Sequence, residues 1–372
     1  MVTLEQMRDS NSRIPECLPA SLVAVFVGGT SGIGESTMKQ FVKHTVQPRV
    51  YFVGRSERAA TRITAELTSL NPAGEYTFIR ADLSLLENVD SVCHEIKSRE
   101  PLINLLFLTP GTIITSSMKE TAEALYYPTA VTYYARVRLI VNLLPLLQKA
   151  TGLRRVVTVY GGTKEGALCA SDFSGRCLCP PNPTGGGSTN TTAAAGVQVQ
   201  LRAHTSSMMT LALESLALEA PDVSFVHSFP GFVRTSHGRN VRAASSSSVG
   251  LLKAVMKIVG PIVAVPVAEA GERQLFFATS ARFPARYAYG AGVDVADTAG
   301  VAPPPPAVGG GVVAKGTDAR IGSGVYSVNF DGEAQAEKVE EAVQMLRDDD
   351  LVRRLWLHTV GEFVRVTGSE FV

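Results

Sequence analysis

Short runs of five to seven mainly apolar residues alternate along the chain with longer segments in which apolar residues recur every three or four positions. The short runs are typical of strands buried on both faces, and the longer segments are typical of helices that cover a sheet. The predicted strands are Leu22–Val27, Arg49–Val53, Tyr76–Arg80, Ile103–Leu108, Arg155–Val159, Val223–Ser228 and Gly324–Phe330. Because helices separate most consecutive strands, this pattern predicts a doubly wound α/β fold with a parallel sheet of about seven strands.

Two segments interrupt this alternation, and a helical tail follows it. Residues 166–196 are rich in Gly, Pro and Thr and predict a long loop, with a helix from about Val197 to Ala220 after it. Residues 296–317 hold four consecutive prolines and three consecutive glycines, which predicts disorder. Two amphipathic helices are expected over 334–372. With no internal repeat and no second core, we expect one domain whose core spans about 20–333.

The first strand runs directly into a glycine-rich turn and a helix, Gly28-Gly-Thr30-Ser31-Gly32-Ile33-Gly34. Gly28 allows a sharp turn, Gly32 lets backbone N–H groups approach a phosphate, and Gly34 lets the helix pack closely on the strand. A helix N-terminus attracts anions, so this stretch predicts a diphosphate site.

The G-x-x-x-G-x-G spacing after a buried strand resembles the short-chain dehydrogenase/reductase family, whose fold is Rossmann-like. Asp82-Leu83 matches the family position beside the adenine, and Thr109-Pro110-Gly111 stands where the family has N-A-G, a looser match. Pro230-Gly231-x-Val233-x-Thr235 matches the family turn against the nicotinamide. The resemblance covers about 22–290 and 322–332. It implies a nicotinamide cofactor, and it implies that residues 237–268 form a lid over the substrate.

The end of the second strand indicates which nicotinamide cofactor is bound. Dinucleotide folds that bind NAD place an acidic residue about 20 positions after the glycines, where it accepts the ribose hydroxyls. Here the strand ends in Gly54-Arg55, with no carboxylate. Because a guanidinium pairs with a 2′-phosphate, Arg55 favours NADP(H), although it is also explained as a solvated loop charge.

The resemblance fails at the positions where the family carries its catalytic groups. By the family's spacing, Arg202 stands at the tyrosine position, Ser206 at the lysine position, Gly161 at the serine position and Thr132 at the asparagine position. We therefore expect a catalytic apparatus without the family's usual Ser, Tyr and Lys.

Three side chains are candidate substitutes for the missing catalytic groups. Arg202 is a poor proton donor but stabilises a developing negative charge, or it is a surface or interface arginine. Tyr160, at the end of the fifth strand, is a candidate acid, or an aromatic residue that packs on a helix. His204 can act as acid or base near neutral pH, but it points about 200° around the helix from Arg202, which favours a structural role.

The composition of the chain limits the binding partners that we expect for it. A net charge of +1 without a basic stripe excludes nucleic acid as an expected partner. Five scattered cysteines, with no second ligand pair beside Cys177-x-Cys179, predict a reduced, cytoplasmic protein without a metal site. Lysines and prolines interrupt the apolar run 249–266, so we expect this run to cover a ligand pocket rather than insert stably in a membrane.

The phrases Ala203-His-Thr-Ser-Ser-Met-Met and Trp356-Leu-His-Thr resemble a fungal branch of the family that is found in specialised metabolism. Three functions remain open at this point. They are an NADP(H)-linked oxidoreductase with an unusual acid, a non-redox isomerase, cyclase or dehydratase, and a nucleotide-sensing binding protein. The expected substrate is a hydrophobic, carbonyl-bearing small molecule, and the chain is expected to be a monomer or a homodimer.

Overall fold

A seven-stranded sheet forms the centre of the computed structural model, which describes residues 1–111, 120–178, 191–233, 264–287, 300–301 and 313–372. All neighbouring strands are parallel, in the order β3-β2-β1-β4-β5-β6-β7. The strands are β1 (Val23–Val27), β2 (Arg49–Gly54), β3 (Glu75–Arg80), β4 (Leu105–Leu108), β5 (Arg155–Val159), β6 (Ser224–Ser228) and β7 (Val325–Val328). The predicted doubly wound sheet of seven strands is confirmed.

Helices cover both faces of the sheet. In the described part of the chain they are α1 (Leu4–Ser12), α2 (Ile14–Cys17), α3 (Gly32–His44), α4 (Glu57–Leu70), α5 (Leu86–Arg99), α6 (Tyr127–Thr129), α7 (Ala135–Gln148), α8 (Thr191–Glu219), α9 (Val267–Thr279), α10 (Glu337–Asp348) and α11 (Leu351–Thr367). The prediction of a loop up to residue 196 was wrong at its end, because α8 begins six residues earlier than Val197. Three consecutive alanines in its first turns favour helix there.

Two apolar cores lie on opposite faces of the sheet. One packs α5, α7 and α8 against β1, β4 and β5, and the other packs α3, α4 and α9 against the same strands. The two predicted tail helices are present as α10 and α11. Leu351, Leu355 and Phe363 of α11 are buried in the first core, so the tail is part of the packed structure.

The helix over Tyr127–Gln148 is long and apolar enough to cross a membrane, and it is the one such helix among the described residues. Of its most apolar window, 89% is buried inside the protein, so it is a core helix. It contains a π-helical stretch, Ala130–Tyr134, between α6 and α7. Such stretches often occur at functional sites.

The strand order reverses between β1 and β4, and the turns after the strands meet at one edge of the sheet. In open α/β sheets, ligands bind outside the carboxyl ends of the strands at this switch point. Most of the predicted lid 237–268, of the apolar run 249–266 and of the predicted disordered segment 296–317 lies outside the described residues, as does Thr235.

Candidate active site

The glycine turn after β1 has a backbone geometry that side chains would block. Gly28 has φ +83°, and a Cβ atom there would lie 2.5 Å from Thr109 Oγ1. A Cβ atom on Gly34 would lie 2.5 Å from the Gly28 carbonyl oxygen, so the helix packs directly on the turn. Ser31 makes no side-chain cap at the start of α3. The first N–H groups of that helix are therefore not capped by Ser31 and suit an anionic ligand.

A cleft of about 360 Å³ runs along the carboxyl edge of the sheet. Many of the predicted cofactor residues line it. They are Gly28, Thr30, Ser31, Gly32, Ile33, Gly34, Arg55, Asp82, Leu83, Pro110, Gly111 and Pro230. Gly231 and Val233 follow Pro230 but do not line the cleft. The structure thus brings residues from five separate turns to one site, and their role in binding stays a prediction.

Two charged groups stand at the end of the cleft formed by β2 and β3. Arg55 is exposed and has no ion-pair partner in the part of the chain that the structure describes. The carboxylate of Asp82 accepts a hydrogen bond from the Ser84 N–H at 3.1 Å, which keeps it within its own turn. The guanidinium of Arg55 is therefore available to an anion in the cleft.

Tyr160 lines the same cleft at the end of β5 and is partly buried. Its phenol contacts the hydroxyl groups of Thr132 and Thr205, and the Arg136 guanidinium lies 5.5 Å from its ring centre. Burial raises the pKa of Tyr160, although Thr205, Arg136 and Arg202 act in the opposite direction. The phenol therefore keeps its proton at neutral pH, as a proton donor must.

The positions matched to the family's catalytic groups come together in space. A Cβ atom on Gly161 would collide with Ser206 Oγ and would lie 3.6 Å from Arg202 Cγ. Arg202 is exposed and does not line the cleft itself, but its charge acts on Tyr160. Thr132 is buried, and its hydroxyl donates to the Pro128 carbonyl at 2.6 Å.

His204 is fully buried on the other side of α8. Its Nδ1 accepts a hydrogen bond from the Cys169 N–H at 3.1 Å, and its Nε2 lies 3.1 Å from the Phe173 carbonyl oxygen, to which it donates. Burial lowers the pKa of His204, so the ring is neutral. The loop after β5 forms hydrogen bonds with both ring nitrogens. This favours a structural role for His204 over a role as acid or base.

The structure adds a buried polar network that the sequence analysis did not identify. The Gly161 N–H donates to His227 Nε2 at 3.1 Å, and Nδ1 of the same ring lies 2.9 Å from Thr210 Oγ1. Thr210 and Ser327 donate to Glu165 Oε1 at 2.7 and 2.6 Å. Burial would raise the pKa of Glu165, but its contacts with His227, Ser327 and Thr210 lower it overall. This network holds the backbone that follows Tyr160.

Arg136 is a second residue that was not predicted from the sequence. A charged residue within the apolar segment 135–147 is a signal that could have identified it. The residue is buried and lines the cleft. Its guanidinium donates to the carbonyl oxygens of Leu108, Pro110 and Val159 and to Thr158. Burial lowers its pKa to about 9, so it remains charged at neutral pH. Arg136 therefore joins the ends of β4 and β5 and brings a positive charge beside Tyr160.

No group of three or more His, Cys, Asp or Glu side chains that could hold a metal ion is present among the described residues. The cleft itself is lined mainly by backbone, apolar and hydroxyl groups.

Comparisons with known proteins agree with this architecture. A family profile described as short chain dehydrogenase matches residues 22–163. Oxidoreductase AN1596 from Emericella nidulans is 34% identical over 96% of this chain and 97% of its own length. Oxidoreductase andH from Emericella variicolor is 31% identical over 99% of each chain.

Among solved structures, YwfH, described as an NADPH dependent reductase involved in bacilysin biosynthesis, is similar with a TM-score of 0.52. The two are 12% identical, and the match covers 70% of this chain and 92% of that one. At this level of identity the likeness shows a shared fold.

Proposed function

Because the chain belongs to the short-chain dehydrogenase/reductase family, we propose that it is an NADP(H)-dependent oxidoreductase that reduces or oxidises a carbonyl or hydroxyl group of a hydrophobic small molecule. The observation that carries this proposal is the position of Tyr160. The protonated phenol of Tyr160 lies in the same cleft as the glycine turn and Arg55.

The cleft fits a dinucleotide phosphate in three respects. The glycines let the turn and the helix pack closely, since a Cβ atom at Gly28 would collide with Thr109 and one at Gly34 with the Gly28 carbonyl oxygen. The N-terminus of α3 has no side-chain cap. Arg55 stands exposed where a 2′-phosphate is expected, and no acidic side chain lines the cleft at that strand end. Asp82 belongs to the next turn, where the family places the adenine. When bound, NADPH supplies the hydride.

Tyr160 is proposed as the acid in the reductive direction. Its phenol donates a proton to the carbonyl oxygen of the substrate as negative charge develops there. Thr132 and Thr205 orient the hydroxyl, and the guanidinium groups of Arg136 and Arg202 stabilise the resulting phenolate. In this arrangement two arginines take the electrostatic role that the family assigns to a lysine, which is Ser206 here.

Arg202 is proposed to act on the substrate as well as on Tyr160. Its exposed side chain lies beside Gly161, the position that the family uses for substrate orientation. We propose that the side chain turns towards the bound substrate, because a cation next to the carbonyl oxygen stabilises negative charge without supplying a proton. Tyr160 thus supplies the proton, and Arg202 stabilises the negative charge on the substrate oxygen.

A non-redox isomerase, cyclase or dehydratase is the second candidate. It is favoured by Arg202 and Ser206, which lie on one face of α8 at the positions that we match to the family's Tyr and Lys. A cationic site that stabilises an enolate serves such reactions without hydride transfer.

The deciding experiment measures NADPH oxidation at 340 nm against a panel of hydrophobic aldehydes and ketones, with product analysis. We expect product formation equal to the NADPH consumed in the wild type, and a loss of about 100-fold or more in kcat for Tyr160→Phe. Tyr127→Phe is the matched control, since Tyr127 is a second tyrosine that lines the cleft. Turnover of a carbonyl compound without nucleotide would instead favour the non-redox function.

We propose that this reaction belongs to fungal specialised metabolism. The relatives from two Emericella species agree with the expected fungal branch of specialised metabolism. We further propose a cytoplasmic location, which is consistent with a reduced pool of cysteines.

A further inference from the structure

Two cysteines touch each other on the loop that joins β5 to α8. Sγ of Cys169 and Sγ of Cys177 lie 2.8 Å apart, and both residues are free thiols. Cys177 is exposed and Cys169 is partly exposed. A disulfide needs a sulfur separation of about 2.0 Å, so a small movement of the two side chains is enough to join them.

We propose that Cys169 and Cys177 are a modification site, at which a small-molecule disulfide such as oxidised glutathione converts the two thiols into a reversible intramolecular disulfide. This site is separate from the cleft, and it does not depend on the proposed reaction.

The loop is held in the required geometry at both ends. The Cys169 N–H donates to His204 Nδ1 at 3.1 Å, which ties one end to α8. The Cys177 N–H donates to the Asp172 carboxylate at 2.8 Å, and the same carboxylate accepts from the Ser174 N–H at 2.9 Å. The two sulfur atoms are therefore brought together by backbone hydrogen bonds of the reduced loop, and closing the bond leaves these in place.

The two thiols differ in a way that suits the exchange reaction. Hydrogen bonds from Cys177 and Ser171 lower the pKa of Cys169. Burial and the contact with Cys169 raise the pKa of Cys177 to about 12. Since the thiolate is the nucleophile in thiol–disulfide exchange, Cys169 attacks first.

The exchange proceeds in two steps and transfers two electrons. The Cys169 thiolate attacks one sulfur of oxidised glutathione, the glutathione S–S bond breaks, and one glutathione leaves as a thiolate. Cys177 then loses its proton to solvent and attacks Cys169 Sγ, which releases the second glutathione. Two electrons pass from the cysteine pair to the glutathione disulfide. Excess reduced glutathione reverses both steps.

The disulfide would join a loop that three other elements contact. His204 of α8 forms hydrogen bonds with the loop at Cys169 and Phe173. The Thr129 hydroxyl of α6 donates to the Ser174 carbonyl at 2.6 Å. Arg354 of α11 donates to the Ala170 carbonyl at 3.1 Å. Because a short cross-link removes freedom mainly from the unfolded chain, we expect the oxidised protein to be more heat-stable. A rise in Tm of about 2–4 °C is expected for a chain of this size.

The test uses the full chain, incubated with oxidised or with reduced glutathione, blocked with an alkylating agent, digested and analysed by mass spectrometry. We expect a peptide pair linked through Cys169 and Cys177, reversed by reduced glutathione, together with the rise in Tm. Cys169→Ser and Cys177→Ser should each abolish the link and the rise in Tm.

Two further variants separate this site from the other thiols. Cys17→Ser is the matched control, since Cys17 is partly exposed but has no thiol in contact among the described residues, and it should leave the link unchanged. Cys179→Ser should also leave it unchanged. A link that includes Cys179, a glutathione adduct on Cys169 that never resolves, or no reaction at all would each overturn the proposal.

Discussion

Gly161 lies so close to Ser206 that a Cβ atom at position 161 would collide with the Ser206 hydroxyl oxygen. The motif spacing of the sequence matches these two positions to the serine and the lysine of the family. In this chain both are small, and the strand end carrying Gly161 packs directly on α8. The absence of a side chain at Gly161 therefore lets the backbone of this strand end pack directly on α8.

This contact predicts a non-additive pair of substitutions. Gly161→Ala should lower the free energy of unfolding by about 1–3 kcal/mol, because it overpacks the contact. Ser206→Ala should be neutral or stabilising, since Ser206 Oγ is buried and has no hydrogen-bond partner among the described residues. In the double variant, part of the stability should return. Chemical denaturation of all four proteins measures this, and strictly additive effects would show that the collision is not the cause.

A second prediction concerns the nucleotide. Arg55→Ala should weaken NADPH binding about 10- to 150-fold, which corresponds to losing a charge-assisted contact of about 1.5–3 kcal/mol, and should leave NADH binding unchanged. Fluorescence titration of both nucleotides measures this. Arg58→Ala is the matched control, because Arg58 is exposed one turn further on and does not line the cleft. Equal affinity of the wild type for the two nucleotides would contradict the assignment of Arg55.

A third prediction concerns Arg202. Arg202→Ala should lower kcat about 100-fold or more, because a cation beside the reacting oxygen is lost, while nucleotide affinity and Tm stay nearly unchanged. Arg202→Lys should recover part of the activity. Gln200→Ala, at an exposed position on the same helix, serves as the control. Full turnover in Arg202→Ala would assign the residue to the surface instead.

The fourth prediction is a pH dependence of stability. Burial lowers the pKa of His204 below its ordinary value of 6.5, so below about pH 6.5 the unfolded chain binds a proton that the folded chain does not. Stability should therefore fall as the pH is lowered from 7.5 towards 5.5, and protonation would break the bond from the Cys169 N–H.

Urea denaturation at several pH values measures this dependence. His204→Gln should show a shallower fall over the same range, whereas His94→Gln, at an exposed position of α5, should behave as the wild type. The same fall in both variants would assign the effect to other groups, such as His44 and His358, whose pKa values are also lowered by burial.

The features that could be predicted from the sequence are those that depend on neighbours in the chain. Buried runs such as Val23–Val27 and the glycine turn after them have local signatures, because strand burial and backbone freedom are properties of consecutive residues. The predicted start of α8 was wrong by six residues, because the alanines from 193 onwards favour helix more strongly than the surrounding polar residues suggest.

The arrangement of the cleft depends on contacts between residues far apart in the chain. Nothing in the sequence indicates that His227 bonds the backbone of Gly161, 66 positions earlier, or that Glu165 accepts from Ser327, 162 positions later. Only the packing of β6 against β5, β7 and α8 creates these pairs.

By itself, the sequence determined the sheet, the phosphate turn and the family, since these follow from local pattern and motif spacing. Only the tertiary structure decided where the candidate residues lie and what surrounds them. In the sequence, both His204 and Tyr160 are candidate acids, each with a structural role as the alternative. In the fold, the loop after β5 occupies both nitrogens of His204, while the phenol of Tyr160 faces the cleft beside two arginines. The physical reason is that access to a ligand and the charge around a group depend on which surfaces pack together, and packing is a property of the whole chain.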